Sequence, residues 1–93
     1  MKKFFYRVKK GDTVLKLSFD FCMPPVKLIS LNNLKTEICE GDLLYIEVEN
    51  YTVYTVALTD TVNSIATRFN TTPEKILLDN GVSFLFYGLK ILV

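Results

Sequence analysis

YRVKKGDTV, residues 6–14, decides the fold of this chain, because nearly the same stretch returns as YTVALTDTV at residues 54–62. The same offset pairs Phe21 with Phe69 and Pro25 with Pro73. One residue then drops out of the second stretch, before Gly88. The sequence therefore predicts two copies of one small module, copy one at roughly residues 5–48 and copy two at 53–93. Modules this short have little interior for a catalytic cleft, so a binding function is favoured.

Each copy begins with a strand pattern and continues into a helical one. Phe4, Tyr6 and Val8 alternate with other residues, which predicts a short strand. Asp12 and Asp60 stand just before the next pattern, where a short acceptor predicts a helix N-cap. Residues three and seven apart then predict one buried helix face, formed by Val14, Leu17 and Phe21 and, in copy two, by Val62, Ile65 and Phe69.

A second helix and a final strand complete each copy. Thr72-Pro73-Glu74 predicts the helix start in copy two, and Met23-Pro24-Pro25 is a weaker form of it in copy one. The predicted buried residues of these helices are Leu28, Ile29 and Leu31, and Ile76, Leu77 and Leu78. Asn33 and Gly81 stand where a helix exit needs a left-handed residue. The predicted class is α+β: two tandem βααβ units, each a two-stranded antiparallel sheet with both helices on one face.

Taken in order, these motifs resemble the lysin motif (LysM) family, in its bacterial type. The likeness rests on Gly11–Val14, Leu31–Asn33 and Gly41–Ile46 of copy one. Copy two departs from the family at Thr59, where Gly is usual, and around Asn80, where Leu-Asn is usual. The resemblance implies binding of glycans that contain N-acetylglucosamine, which are peptidoglycan in bacterial members and chitin-type oligosaccharides in others.

The resemblance also implies where the sugar lies, in a shallow groove between the loop that precedes the first helix and the loop that follows the second. The ligand-binding residues carried over by matching position are Gly11, Asp12, Thr13, Val14, Asn32, Asn33, Leu34, Thr59, Asp60, Thr61, Val62, Asn80, Gly81 and Val82. An N-acetyl sugar is neutral and needs short polar partners and a small apolar seat, which these residue types supply. A structural role is the alternative for four of them: Asp12 and Asp60 as caps, Asn32 and Asn80 as ties at the helix exit.

The second loop of copy two also carries three aromatic residues, Phe84, Phe86 and Tyr87. They could stack on a sugar face or pack against copy one. Packing is the favoured interpretation, because clusters of apolar side chains more often mark interfaces.

Composition excludes several function classes. A net charge of +1 gives no electrostatic basis for nucleic-acid binding. With no histidine and only two cysteines, Cys22 and Cys39, neither an acid–base catalytic set nor a zinc site is expected. Reduced thiols are the favoured state of the cysteines, and a disulfide between them is the alternative. The apolar run at residues 82–93 is too short to span a membrane. No catalytic residue, metal or cofactor is predicted.

The sequence thus predicts a non-catalytic module that binds peptidoglycan or another N-acetylglucosamine polymer. The alternative is an intracellular, spore or envelope assembly module that binds a protein partner. A third interpretation is a fragment of a cell-wall enzyme. The N-terminus begins like a signal peptide, but Arg7 and Lys9 interrupt the apolar stretch. A cytoplasmic location is therefore expected for the chain as given, with association with the cell wall or spore as the other option.

Overall fold

The computed structural model describes residues 2–93 and contains two βααβ units in tandem. Copy one consists of β1 (Lys2–Arg7), α1 (Val14–Asp20), α2 (Pro25–Leu31) and β2 (Leu43–Val48). Copy two consists of β3 (Val53–Thr55), α3 (Val62–Arg68), α4 (Pro73–Asn80) and β4 (Lys90–Leu92). In each copy the first and last strands pair antiparallel, with Phe4 opposite Ile46 and Tyr54 opposite Ile91. The predicted element order and fold class are confirmed.

Each copy has its own hydrophobic core between its helices and its sheet. Leu17 and Ile65 are fully buried on α1 and α3, which confirms the buried face predicted for the first helix. On the second helices only Leu28 and Ile76 are buried, whereas Ile29 is 41% exposed. The wider buried stripe was therefore wrong. Helices this short turn a single row of residues toward the sheet, and the next residue along points about 100° away.

The residues that cap α1 and α3 are Thr13 and Thr61, one place after the predicted Asp12 and Asp60. The Thr13 hydroxyl accepts a hydrogen bond from the backbone N–H of Lys16 at 3.1 Å. Thr61 makes the equivalent bond at 3.0 Å within a capping box. The prediction that the aspartates cap these helices was wrong, because the last extended residue before each helix is the threonine.

The helix exits follow the prediction. Asn33 and Gly81 both have positive φ, at 51° and 63°. Glycine adopts this left-handed conformation without cost, and asparagine tolerates it better than most residues.

The two copies pack against each other through α2 and α4, and the molecule measures 41 × 25 × 19 Å along its principal axes. The contact is close where the exit of α4 meets α2: a Cβ on Gly81 would lie 3.3 Å from Cγ2 of Val26. The relative position of the copies is therefore set by direct helix contact.

The linker between the copies is held by one lysine from each second helix. On α2, Lys27 pairs with Glu49 at the end of copy one and lies 3.7 Å from a carboxylate oxygen of Glu47. On α4, Lys75 donates a hydrogen bond of 2.8 Å to the hydroxyl of Tyr51. We call this arrangement the linker clamp.

The aromatic loop of copy two does not pack on copy one. Phe84, Phe86 and Tyr87 are 68%, 53% and 70% exposed, and the rings of Phe84 and Phe86 lie 6.1 Å apart. The packing prediction was wrong, because α2 and α4 form the junction and leave this loop outside it.

The two cysteines are free thiols, as predicted, with Cys22 half-buried and Cys39 exposed. Among residues 2–93, no helix has the length and apolar character that crossing a bilayer requires.

Candidate functional site

A cavity of about 240 Å³ opens in copy one where the two predicted binding loops meet. Its apolar part is formed by Val14 at the start of α1, Leu34 in the loop after α2, and Ile29 on α2 itself. Its polar part is formed by the consecutive residues Lys35, Thr36 and Glu37. The fold thus brings together Val14 and Leu34, two of the sequence-predicted residues, although they lie on different loops.

Glu37 holds the two loops together. One oxygen of its carboxylate accepts hydrogen bonds from the backbone N–H of Val14 at 2.8 Å and from its neighbour Ile38 at 3.2 Å. The start of α1 and the loop after α2 are therefore joined by a charged hydrogen bond, which is stronger than a neutral one.

Sequence reasoning missed four of the six residues that line this cavity: Ile29, Lys35, Thr36 and Glu37. It relied on positions matched to the family, and copy two is one residue shorter between Val82 and Gly88. The polar run of copy one is replaced there by Ser83 and Phe84. The sequence did contain a signal for Ile29. On a two-turn helix whose Leu28 faces the core, the next residue points away from the core, so an apolar side chain there indicates a binding surface.

Asn32 does not line the cavity, because its side chain is hydrogen-bonded to the backbone of α2 and β2. Its amide nitrogen donates to the carbonyl oxygens of Leu28 at 3.1 Å and Tyr45 at 2.9 Å, and its oxygen accepts from the N–H of Tyr45 at 2.7 Å. Asn80 repeats all three bonds, with Leu92 in the place of Tyr45. This geometry favours the structural alternative for both asparagines: they pair with the free edge of a two-stranded sheet.

Asp12 and Asp60 likewise serve the fold. Asp12 accepts hydrogen bonds from the N–H of Lys9 at 2.9 Å and from the hydroxyl of Tyr6 at 2.7 Å. These two donors, the N–H first, lower the pKa of Asp12 below its ordinary value. In copy two the Tyr54 hydroxyl and then the backbone N–H of residue 57 lower the pKa of Asp60. Both carboxylates are therefore charged and already satisfied at neutral pH.

The other predicted residues of copy one, Gly11, Thr13 and Asn33, do not line the cavity but are exposed on the two loops that form it. Gly11 has a φ of 88°, and a Cβ added there would meet nothing within 4 Å. The open backbone at Gly11 leaves room for a ligand to approach closely.

In copy two the predicted loops are also accessible, but their surroundings differ. Thr59, Thr61 and Gly81 are exposed, while Asp60 and Val62 are half-buried. Asn80 and Val82 line a cleft that faces copy one instead of a groove within copy two.

The family model of the LysM domain matches residues 6–38 and 54–93, one segment in each copy. The chain belongs to the LysM domain family. The match covers most of the chain and agrees with the two βααβ units.

Among curated proteins, this LysM chain is similar to the N-acetylmuramoyl-L-alanine amidases sle1 of Staphylococcus epidermidis and Staphylococcus saprophyticus. The first is 32% identical over 99 residues, covering 95% of this chain and 31% of the relative. The second is 33% identical over 90 residues, covering 84% of this chain and 27% of the relative. The chain thus spans less than a third of the length of these amidases.

Among solved structures, the spore cortex-lytic enzyme SleL of Bacillus cereus aligns with 99% of this chain and 23% of its own. The TM-score is 0.48 and the sequence identity 21%.

Proposed function

We propose that this chain is a binding module for glycans that contain N-acetylglucosamine, with peptidoglycan as the ligand class. The observation that carries the proposal is the cavity of copy one, which combines an apolar seat with a polar rim between the two loops of the LysM fold. LysM membership and the similarity to amidases named for an N-acetylmuramoyl bond support the same ligand class.

The chemistry of an N-acetyl sugar matches this cavity. The acetyl methyl group fits against Val14, Ile29 and Leu34, and the hydroxyl groups reach the side chains of Lys35 and Thr36. The exposed backbone of the two loops, from Gly11 to Thr13 and at Asn33, supplies further donors and acceptors. Most of these contacts are neutral, as is usual for a small-ligand site with few placed polar groups.

Copy two is proposed as a second and different site, formed by Thr59–Val62 and by Gly81 and Val82. Phe84 follows directly and is exposed, so an aromatic face is available where copy one has polar side chains. Because this loop is exposed, we include the alternative in which its aromatic side chains stack on a sugar. Two weak sites on one polymer reinforce each other through effective concentration.

We further propose that the module attaches a larger protein to the cell wall or spore, since the amidases similar to it are about three times its length. The titration described next also distinguishes the two ligand classes, because it compares a chitin-type oligosaccharide with peptidoglycan fragments.

The test is a titration of the isotope-labelled chain with N-acetylglucosamine hexamer and with soluble peptidoglycan fragments, followed by amide chemical shifts. We expect shifts at residues 11–14 and 33–37, and at 59–62 and 81–84. Thr36→Arg, which fills the cavity from an exposed position, should remove the copy-one shifts. Thr67→Arg makes the same change on an exposed face of α3 and should leave them intact. The absence of any shift up to about millimolar ligand would contradict the proposal.

A second candidate function, binding of a protein partner, is favoured by one observation: three large aromatic side chains are exposed in a single loop. If glycans give no shifts, recovery of one defined partner by the wild type but not by Phe84→Ser would support this function. Equal recovery by both would contradict it.

A further inference from the structure

A second recess, larger and more apolar than the cavity of copy one, lies between the two copies. This junction cleft has a volume of about 350 Å³. Copy one contributes Leu15 and Phe19 from α1, and copy two contributes Val82 and Leu89. The cleft exists because α2 packs on α4, so it belongs to the tandem and to neither copy alone.

The cleft has one charged side chain, Lys90, which is exposed at the start of β4. Within the described part of the chain, no carboxylate lies within 4 Å of its ammonium group, so this group is available to a carboxylate of a ligand. Apolar walls with one unpaired cation suit a ligand that has small apolar groups and a carboxylate. The other polar side chain of the cleft, Asn80, is already hydrogen-bonded to the backbone, so the cleft lacks the polar rim of the copy-one cavity and offers few partners to the hydroxyl groups of a bare sugar.

The junction cleft is continuous with the proposed sugar site of copy two. Val82 belongs to the predicted binding loop and also lines the cleft, and so does Asn80. A sugar held against this loop would therefore lie beside the wall that Val82 contributes to the cleft.

We propose that the junction cleft binds the peptide portion of peptidoglycan, the short peptide that is linked to its muramoyl sugars; this rests on the function proposed above. Such a peptide carries alanine methyl groups and free carboxylates, which match the apolar walls and the ammonium group of Lys90. The two copies together then bind two parts of one polymer, the sugar at the loops and the peptide in the junction cleft. In copy one the residue in register with Lys90 is Leu43, so this feature is specific to the second copy.

The experiment compares two peptidoglycan fragments of equal sugar length, one with its peptides and one from which an amidase has removed them. Affinity is measured by calorimetry on the full chain. For the wild type we expect about tenfold tighter binding of the peptide-bearing fragment, from one exposed ion pair and a few buried methyl groups. Lys90→Gln and Leu15→Gln should each reduce that advantage about threefold and leave the affinity for the peptide-free fragment unchanged.

Both substitutions replace exposed side chains, so the variants are expected to fold, and circular dichroism checks this. The matched control is Lys3→Gln, which removes the same charge from β1, outside the cleft, and should retain the full advantage. Equal affinity of the wild type for the two fragments would overturn the cleft proposal and leave the glycan-binding function standing. An equal effect of Lys90→Gln on both fragments would also overturn it. If neither fragment binds, the proposed function itself fails.

Discussion

Asn32→Ala tests whether this residue belongs to the fold or to the ligand site. The substitution removes three hydrogen bonds, including both that Asn32 makes to the N–H and carbonyl of Tyr45. Each such bond contributes roughly 0.5–1.5 kcal/mol, and a backbone group left without a partner adds to the cost. Because Asn32 is half-buried, water replaces part of what is lost. We therefore expect a loss of about 2 kcal/mol in the free energy of unfolding.

The assay is urea denaturation followed by circular dichroism, together with a thermal melt. For a chain of this size, a loss of about 2 kcal/mol corresponds to a decrease in Tm of about 10 °C. The matched control is Asn63→Ala on an exposed face of α3, where the side chain makes no hydrogen bond within residues 2–93. That variant should have unchanged or slightly raised stability, because alanine has the higher helix propensity.

The same variant is then titrated with N-acetylglucosamine hexamer under conditions where it is folded. Because Asn32 does not line the cavity, the affinity of the variant for the hexamer should stay within about twofold of the wild-type value, a difference of less than 0.5 kcal/mol in binding free energy. A variant with unchanged stability and lost binding would refute this reasoning and restore Asn32 as a sugar contact.

Three further predictions concern the acidic residues, a helix exit and the aromatic loop. The lowered pKa of Asp12 and of Asp60 means that their charged forms add stability above the ordinary value of about 3.9, which is lost as the pH falls below it. Urea midpoints from about pH 6 to pH 2.5 should thus fall more steeply in the wild type than in the double Asp→Asn variant, and parallel curves would contradict this. Gly81→Ala should lower the free energy of unfolding by about 1–2 kcal/mol, because alanine is strained at positive φ and its Cβ would approach Val26; a melt unchanged from wild type would count against the helix contact. Phe84→Ser should change stability by less than about 0.5 kcal/mol, since the ring is exposed, and a larger loss in a urea titration would mean that it packs in solution.

The sequence was sufficient to predict the fold because every element appears twice. The strand pattern of the first copy, its helix face at Leu17 and its helix exit at Asn33 are each repeated in the second. Local errors arose where two neighbouring residues are both good caps. Asp12 and Thr13 are such a pair, and the aspartate is engaged by Tyr6, a contact that spans a strand and a loop.

The candidate site was harder to predict, because its residues differ between the copies. Glu37 has no equivalent in copy two, and its bond to the N–H of Val14 joins positions far apart in the chain. The junction cleft depends on how α2 meets α4, which neither copy specifies alone. The prediction that the aromatic loop packs on copy one was wrong for the same reason, because the contact between the copies could not be predicted from either copy alone. Periodicity within a copy determines its core, whereas contacts between copies depend on shape.

The linker clamp affects how the affinity of the chain depends on the length of a glycan. Lys27 and Lys75 tie the linker to α2 and α4, the two helices that pack on each other, so the proposed sites of the two copies lie at one distance in this structure. A ligand that reaches both sites then pays no entropy for ordering a flexible tether, but its sugars must recur at that one distance. Affinity should therefore rise in a single step with oligomer length, at the shortest chain that reaches from one site to the other, instead of increasing gradually with each added sugar.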